Sequence, residues 1–177
     1  MYRLINWFFL FSFIGYLLEC VVLTYENRHL VFNRGFGHGP FCVIYGVGAA
    51  GALILLEPVS HSPVRLYLFS MIMATAIELF TGHVMVKLFG TFWWDYSRKP
   101  FNYKGMICLE SSIAWGFLGI LFFRFLNGLV FSIVDRIPEP FGGVVAGSLL
   151  FFYIGDFIYT MDHQLKKRKD TDRFKRL

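Results

Sequence analysis

The chain has 177 residues, of which 56% are hydrophobic, 20% aromatic and only 16% charged, against roughly a quarter charged in an ordinary soluble domain. A soluble fold of this length would still expose much of that apolar surface to water, so the composition points away from a cytosolic protein and toward lipid as the solvent. The net charge of +5 gathers at the C-terminus, where Lys166, Lys167, Arg168, Lys169, Arg173, Lys175 and Arg176 follow an apolar stretch. A basic run in that place faces an anionic membrane leaflet rather than nucleic acid.

A bilayer crossing takes about 20 mostly apolar residues. The expected fold is all-α: a polytopic membrane protein, a compact bundle of about five transmembrane helices. It forms one transmembrane domain over residues 1–165, with a basic cytoplasmic tail over 166–177. The first span covers about 5–25. It is expected to be a retained helix and not a signal peptide, because Glu19 directly before Cys20 does not suit lipoprotein processing. The second covers 39–57, closed by Pro58, and the third 64–89, opened by Pro63 and Arg65. The fourth covers 106–123, and the apolar piece Phe125–Val134 after it reads as a short interfacial helix or overhang, because Asn127-Gly128 interrupts it. One long tilted helix from Met106 to Ile133 is the competing reading. The fifth span covers 141–161. Cys20, Cys42 and Cys108 lie in apolar stretches without metal-ligand spacing and read as small packing residues.

Orientation follows from Lys and Arg. With five spans and the tail inside, thirteen of the 17 basic residues fall inside and four, Arg3, Arg65, Arg124 and Arg136, outside. The expectation is a multi-pass protein of the cell membrane with its N-terminus outside and its C-terminus in the cytoplasm.

Acidic residues inside spans carry the functional signal, because a charge at bilayer depth costs several kcal/mol and is kept where it faces protein or water. Glu19, Glu78 and Glu110 each fall within a predicted span. Asp156 in the fifth ranks below them, since it is near enough to the tail to pair with a lysine. In the first span Ser12, Gly15, Tyr16, Glu19 and Glu26 recur at helical spacing, and in the third Ala74, Thr75, Glu78, Thr81, Gly82 and Met85 do the same. Both are small, polar faces suited to close helix contact. At about 1.5 Å per residue the three glutamates lie in the cytoplasmic half. Two irregular loops cap that side, one with Arg34, Gly35, Gly37, His38, Gly39 and Pro40, the other running from Trp93 to Asn102. The expected substrate-binding or path-lining set is therefore Glu19, Arg34, His38, Tyr45, Glu78, Trp94, Asp95, Tyr96, Asn102 and Glu110, around one inward-facing pocket. Plainer roles exist for several: Trp93, Trp94 and Tyr96 as interfacial aromatics, and Arg34, Arg98 and Lys99 as markers of the inner side. No spacing supports a metal, no cofactor is implied and no catalytic residue is assigned. The GxGxxG at Gly46–Gly51 lies in an apolar span, where it reads as a packing face and not as a phosphate loop.

At these segments the sequence resembles the CmpB-like family known as putative ABC-transporter type IV. The resemblance rests on Gly15-Tyr16-Leu17-Leu18-Glu19, on Asn33-Arg34-Gly35-Phe36 with Gly39-Pro40 and Tyr45-Gly46, and on Glu78-Leu79-Phe80-Thr81-Gly82. It is firmest over Trp94-Asp95-Tyr96-Ser97, Phe101-Asn102, Gly105, Ile107-Cys108-Leu109 and Trp115-Gly116, and it covers about residues 5–125. It implies a permease-type subunit, with a separate ATPase subunit or further copies of the chain as partners beside the bilayer. Three functions compete. One is passage of a small polar or cationic solute through an acidic, inward-facing site. Another is an intramembrane enzyme acting on a lipid or isoprenoid at the inner leaflet, with a glutamate as general acid or base. The third is an accessory or sensor subunit without chemistry.

Overall fold

A computed structural model describes residues 1–32 and 35–174, with side chains through Lys169. Arg34, and the side chains of Arg173, Lys175 and Arg176, lie outside the described residues. The elements are α1 (Tyr2–Asn27), α2 (Val43–Leu55), a 3-10 turn (Glu57–Val59), α3 (Pro63–Phe89), a two-strand hairpin of β1 (Asn102–Tyr103) and β2 (Ile107–Cys108), then α4 (Leu109–Leu121), a π-helical turn (Phe122–Leu126), α5 (Asn127–Asp135) and α6 (Glu139–Phe174). Among the described residues, four helical stretches are long and apolar enough to cross a membrane: Tyr2–Asn27, Pro63–Phe89, Leu109–Asp135 and Glu139–Lys169. The protein is an all-α, multi-pass membrane protein.

Two boundaries differ from the sequence expectation. The piece Phe125–Val134 continues the fourth helix, as the competing reading has it: helix runs unbroken from Leu109 to Asp135. The π-helical turn absorbs the irregularity before Asn127, and the Asn127 side chain is used across helices, accepting from Trp7 Nε1 at 3.0 Å. Arg124 consequently sits within a helix and not in an outer loop. The second expected span is helical over only 13 residues, Val43–Leu55, a length of about 20 Å. Gly35, Gly37, Gly39 and Pro40 keep the chain before it irregular.

The chain divides into two units. The first comprises Met1–Ala50 and Phe125–Met161. In it α5 runs antiparallel to α1, fixed by Arg3 with Asp135 and by Trp7 with Asn127 and Phe131. The α6 helix runs with α1: Asn6 Nδ2 donates to the Gly142 carbonyl at 3.0 Å, and farther along Phe9 meets Tyr153 edge-on. Trp7, Phe9, Phe11, Val130 and Val134 form its buried core.

The second unit comprises Gly51–Arg124 and the end of α6 from Asp162. Its centre is an antiparallel pair of α3 and α4: as α3 advances from Ser70 through Thr75 and Glu78 to Gly82, the facing positions fall from Gly119 through Ser112 and Ser111 to Met106. The small face read from the α3 sequence is the face that meets α4. Glu78 and Gly82 are buried there. Gly116 lies against the Tyr67 ring so closely that a Cβ would come 2.5 Å from its Cε2.

Candidate functional site

In the first unit, polar groups gather where the chain between α1 and α2 turns back along α1. Arg28 ends α1 in the left-handed region, at φ 55°, and Val31 N donates to Thr24 Oγ1 at 3.0 Å. By Cys42, whose N–H donates to the Ser12 carbonyl at 3.0 Å, the chain has climbed about 22 Å back from the end of α1, with no helix among its described residues. Then α2 begins, with Tyr45 against Gly15 and Gly46 against Ser12 and Phe8, heading toward the α1 N-terminus. The second apolar segment thus begins as a few residues of irregular chain, and its helix starts only at Val43, near the middle of α1. Backbone groups at that depth need partners inside the protein or water in a cavity. Asp156 supplies them. Its Oδ2 accepts from the N–H groups of His38 at 2.8 Å and Gly39 at 3.0 Å, while Oδ1 takes His38 Nδ1 at 2.8 Å with Thr160 Oγ1 alongside.

Asp156 lies about one turn beyond Tyr153 on α6, and Tyr153 meets Phe9 of α1. Glu19 is half-buried and accepts from the Tyr45 hydroxyl at 2.6 Å. That distance is short, as charge-assisted O–H···O bonds are. Gly15 makes the bond reachable, because the Tyr45 ring lies where a Cβ would be. Two carboxyl groups, a histidine whose side chain is mostly exposed and an irregular backbone therefore belong to this one unit.

The second unit holds another carboxyl cluster. Glu78 is 5% exposed and receives Tyr96 Oη on Oε1 at 2.8 Å, with Trp115 Nε1 at 3.2 Å and Ser111 Oγ at 3.5 Å on Oε2. Three donors from a loop and a neighbouring helix converge on one buried acceptor, which ties loop and helix to α3. The loop that delivers Tyr96 is built on its own polar groups. Asn102 Nδ2 donates to the carbonyls of Ser97 and Lys99 while its Oδ1 accepts from Gly105 N. Trp94 Nε1 donates to the Met106 carbonyl at 2.7 Å, and Asp95 Oδ1 accepts from Ser97 N at 2.8 Å. The Ser97 N–H and hydroxyl, helped by the charge of Arg98, hold the Asp95 carboxyl below its ordinary value. Phe101 and Lys104 are both left-handed, at φ 53°, a conformation that costs a non-glycine residue roughly 1–2 kcal/mol.

Of the expected site residues, Glu19 and Tyr45 meet each other, Glu78 and Tyr96 meet each other, and His38 meets Asp156. Trp94, Asp95 and Asn102 bond to their own loop. Glu110 is exposed in the first turn of α4 and pairs with Lys99 at 3.2 Å. The β2 strand takes Ile107–Cys108, so α4 starts at Leu109 and Glu110 becomes a helix N-terminal acid, favoured by the helix dipole. The GxGxxG glycines behave as packing positions where they have neighbours: Gly46 against Ser12 and Phe8, Gly51 facing Met73. All three cysteines are free and buried, and Cys108 also caps α4, its sulfur accepting from Ser111 N. Sequence reasoning did not single out Ser111, Trp115 and Thr160 as partners of these carboxylates, and it expected Asp156 to pair with a tail lysine where the structure gives it His38 and Gly39. The available signal was accounting: a glycine-rich segment inside an apolar stretch leaves N–H groups that need an acceptor.

No curated protein and no solved structure matches the chain. A family model does match, over residues 6–161. That range passes residue 125, where the sequence resemblance stopped, and takes in Asp156 and Thr160 with every other member of the two polar clusters. The chain belongs to the family described as putative ABC-transporter type IV.

Proposed function

We propose that this protein is a permease-like membrane subunit that passes a small polar or cationic solute, with its N-terminus outside and its C-terminus in the cytoplasm. One observation carries the reading: helix in the second apolar segment begins only at Val43, and the irregular chain leading into it is stapled to α6 by Asp156. Broken helices at mid-membrane are a common way for transport proteins to present backbone carbonyls and carboxylates to a solute without a hydrophobic barrier. Glu19 and Asp156 in the same unit give it acidic character, which suits a cation. The family description supports a separate ATPase subunit as the source of energy. Orientation rests on Lys and Arg: with Arg124 inside a helix, only Arg3, Arg65 and Arg136 remain for the outer side, and the bias of the sequence is strengthened.

The test is binding, because transport itself could await the ATPase. Purified protein in nanodiscs is titrated with radiolabelled sodium, potassium, calcium, choline and spermidine. Saturable binding of one cation is expected, lost in Glu19→Gln and in Asp156→Asn. Binding that is absent for the whole panel, or unaffected by both substitutions, would sink the cation reading.

A further inference from the structure

The hairpin between α3 and α4 presents a surface that the transport reading leaves unused. Phe101 is 83% exposed and Tyr103 is 50% exposed, although the hairpin's other aromatic residues, Trp93, Trp94 and Tyr96, are half-buried. Phe101 is held in the left-handed region by its neighbour Asn102, whose side chain clamps the loop on both sides. Lys104, also left-handed, sets its Nζ 5.4 Å from the centre of the Tyr103 ring. The loop's charges sort themselves. Lys99 is matched by Glu110 and Asp95 by the Ser97 amide with Arg98 nearby, which leaves Lys104 as the cation at the aromatic tip. Lys87 in the last turn of α3 adds another at the loop's root.

The hairpin joins Pro63–Phe89 to Leu109–Asp135, both long enough and apolar enough to span, so its root at Phe89 lies toward a membrane surface, while Tyr96 and Met106 pack back on Glu78 and Gly82 and leave the turn at the outer edge of the pair. We propose that the Phe101–Lys104 turn is a lipid anchor, seating Phe101 and Tyr103 among the headgroups of an anionic leaflet with Lys104 on a phosphate. Aromatic rings prefer that zone, and each basic residue near an anionic surface adds attraction. A rigid turn that holds an aromatic ring outward is otherwise an exposure without return. The inference needs neither the cation site nor a particular orientation, only that α3 and α4 span.

A spin label at Phe101→Cys in the full chain tests it, in vesicles of phosphatidylcholine alone and in vesicles rich in phosphatidylglycerol. The native cysteines are buried, and unsubstituted protein gives the background. In anionic vesicles the label should collide severalfold more with oxygen than with a water-soluble nickel chelate, and less so in neutral ones. A label open to the nickel chelate in both overturns the anchor and leaves the tip to a protein partner. Equal immersion in both overturns the assignment to anionic headgroups. A second measurement leaves Phe101 in place: phosphatidylglycerol should raise the melting temperature of the unsubstituted protein more than that of Lys104→Glu. An equal rise in both counts against the proposal.

Discussion

Asp156 holds His38 twice, through the backbone N–H and through the imidazole, each at 2.8 Å. Since a carboxylate only accepts, Nδ1 must be the protonated ring nitrogen in this arrangement. Asp156→Ala should therefore destabilise the protein by about 0.5–1.5 kcal/mol, the net worth of hydrogen bonds to donors that water can reach in part. Asp156→Asn should cost much less: its oxygen can still take both N–H groups, and its amide can donate to the other tautomer of His38. Thermal unfolding in detergent separates the two. An alanine variant as stable as the parent would mean that the irregular segment does not depend on this carboxylate.

The Glu78 cluster yields a similar contrast with a different purpose. Glu78→Leu removes the acceptor from Tyr96, Ser111 and Trp115 together and should cost at least about 3 kcal/mol. Glu78→Gln can keep Trp115 and Ser111 on its oxygen if the Tyr96 hydroxyl reverses to accept from the amide. The glutamine variant should then fold and express almost normally. If it also loses function, the charge itself matters. If it keeps full function while leucine unfolds, Glu78 is a structural tie between loop and helices.

How much of this was legible in the sequence depends on whether the signal was local. Hydropathy located the long helices, and three- and four-residue spacing on α1 and α3 located the faces with Ser12, Gly15, Glu78 and Gly82 that are buried. The late helix start in the second segment was not legible as such, because Phe36, Phe41 and Cys42 make irregular chain look like the start of a span. Asn127-Gly128 looked like a break because the residue that uses Asn127, Trp7, is 120 positions away. Glu110 shows how a small shift decides a role. Moving the helix start from Met106 to Leu109 turns a carboxylate one turn inside a helix into a first-turn acid paired with Lys99.

Asp95 gives a pH prediction. Its folded-state pKa lies below the ordinary 3.8, so the unfolded chain binds this proton more readily. The stability it contributes is complete above 3.8 and is lost as pH falls through the lower, folded-state value. Unsubstituted protein should melt higher than Asp95→Asn at neutral pH, and the gap should close on acidification below that range. A gap that stays constant down to strongly acidic pH would show that the Asp95 charge is not what supports the Ser97 turn.

The proposed orientation predicts opposite accessibility for two new cysteines. His61, in the turn before α3, is exposed, and Lys169 stands in the basic end of α6. In intact cells a membrane-impermeant maleimide should label His61→Cys and spare Lys169→Cys until the membrane is opened. The buried native cysteines keep the background low. Labelling of both sites from outside would require an even number of crossings between them and the loss of the inside tail.

The sharpest packing prediction separates two glycines on the same helix pair. A Cβ at Gly82 would come 3.2 Å from Met106 Cγ and 3.3 Å from its sulfur, and methionine is unbranched and yields readily. A Cβ at Gly116 would come 2.5 Å from Cε2 of the Tyr67 ring, which is rigid, packed edge-on against Phe117 and tied by its hydroxyl to the Ile113 carbonyl. Gly82→Ala should be tolerated within about 1 kcal/mol, whereas Gly116→Ala should cost roughly 1–3 kcal/mol through overpacking. Gly82→Leu should fail as well, because methionine cannot clear that much volume from a close helix contact. Shortening the obstructing ring tests the cause: Tyr67→Ala should be destabilising alone, yet should recover part of the loss when combined with Gly116→Ala. Strictly additive losses in the double variant would show that the ring is not what excludes a side chain at Gly116.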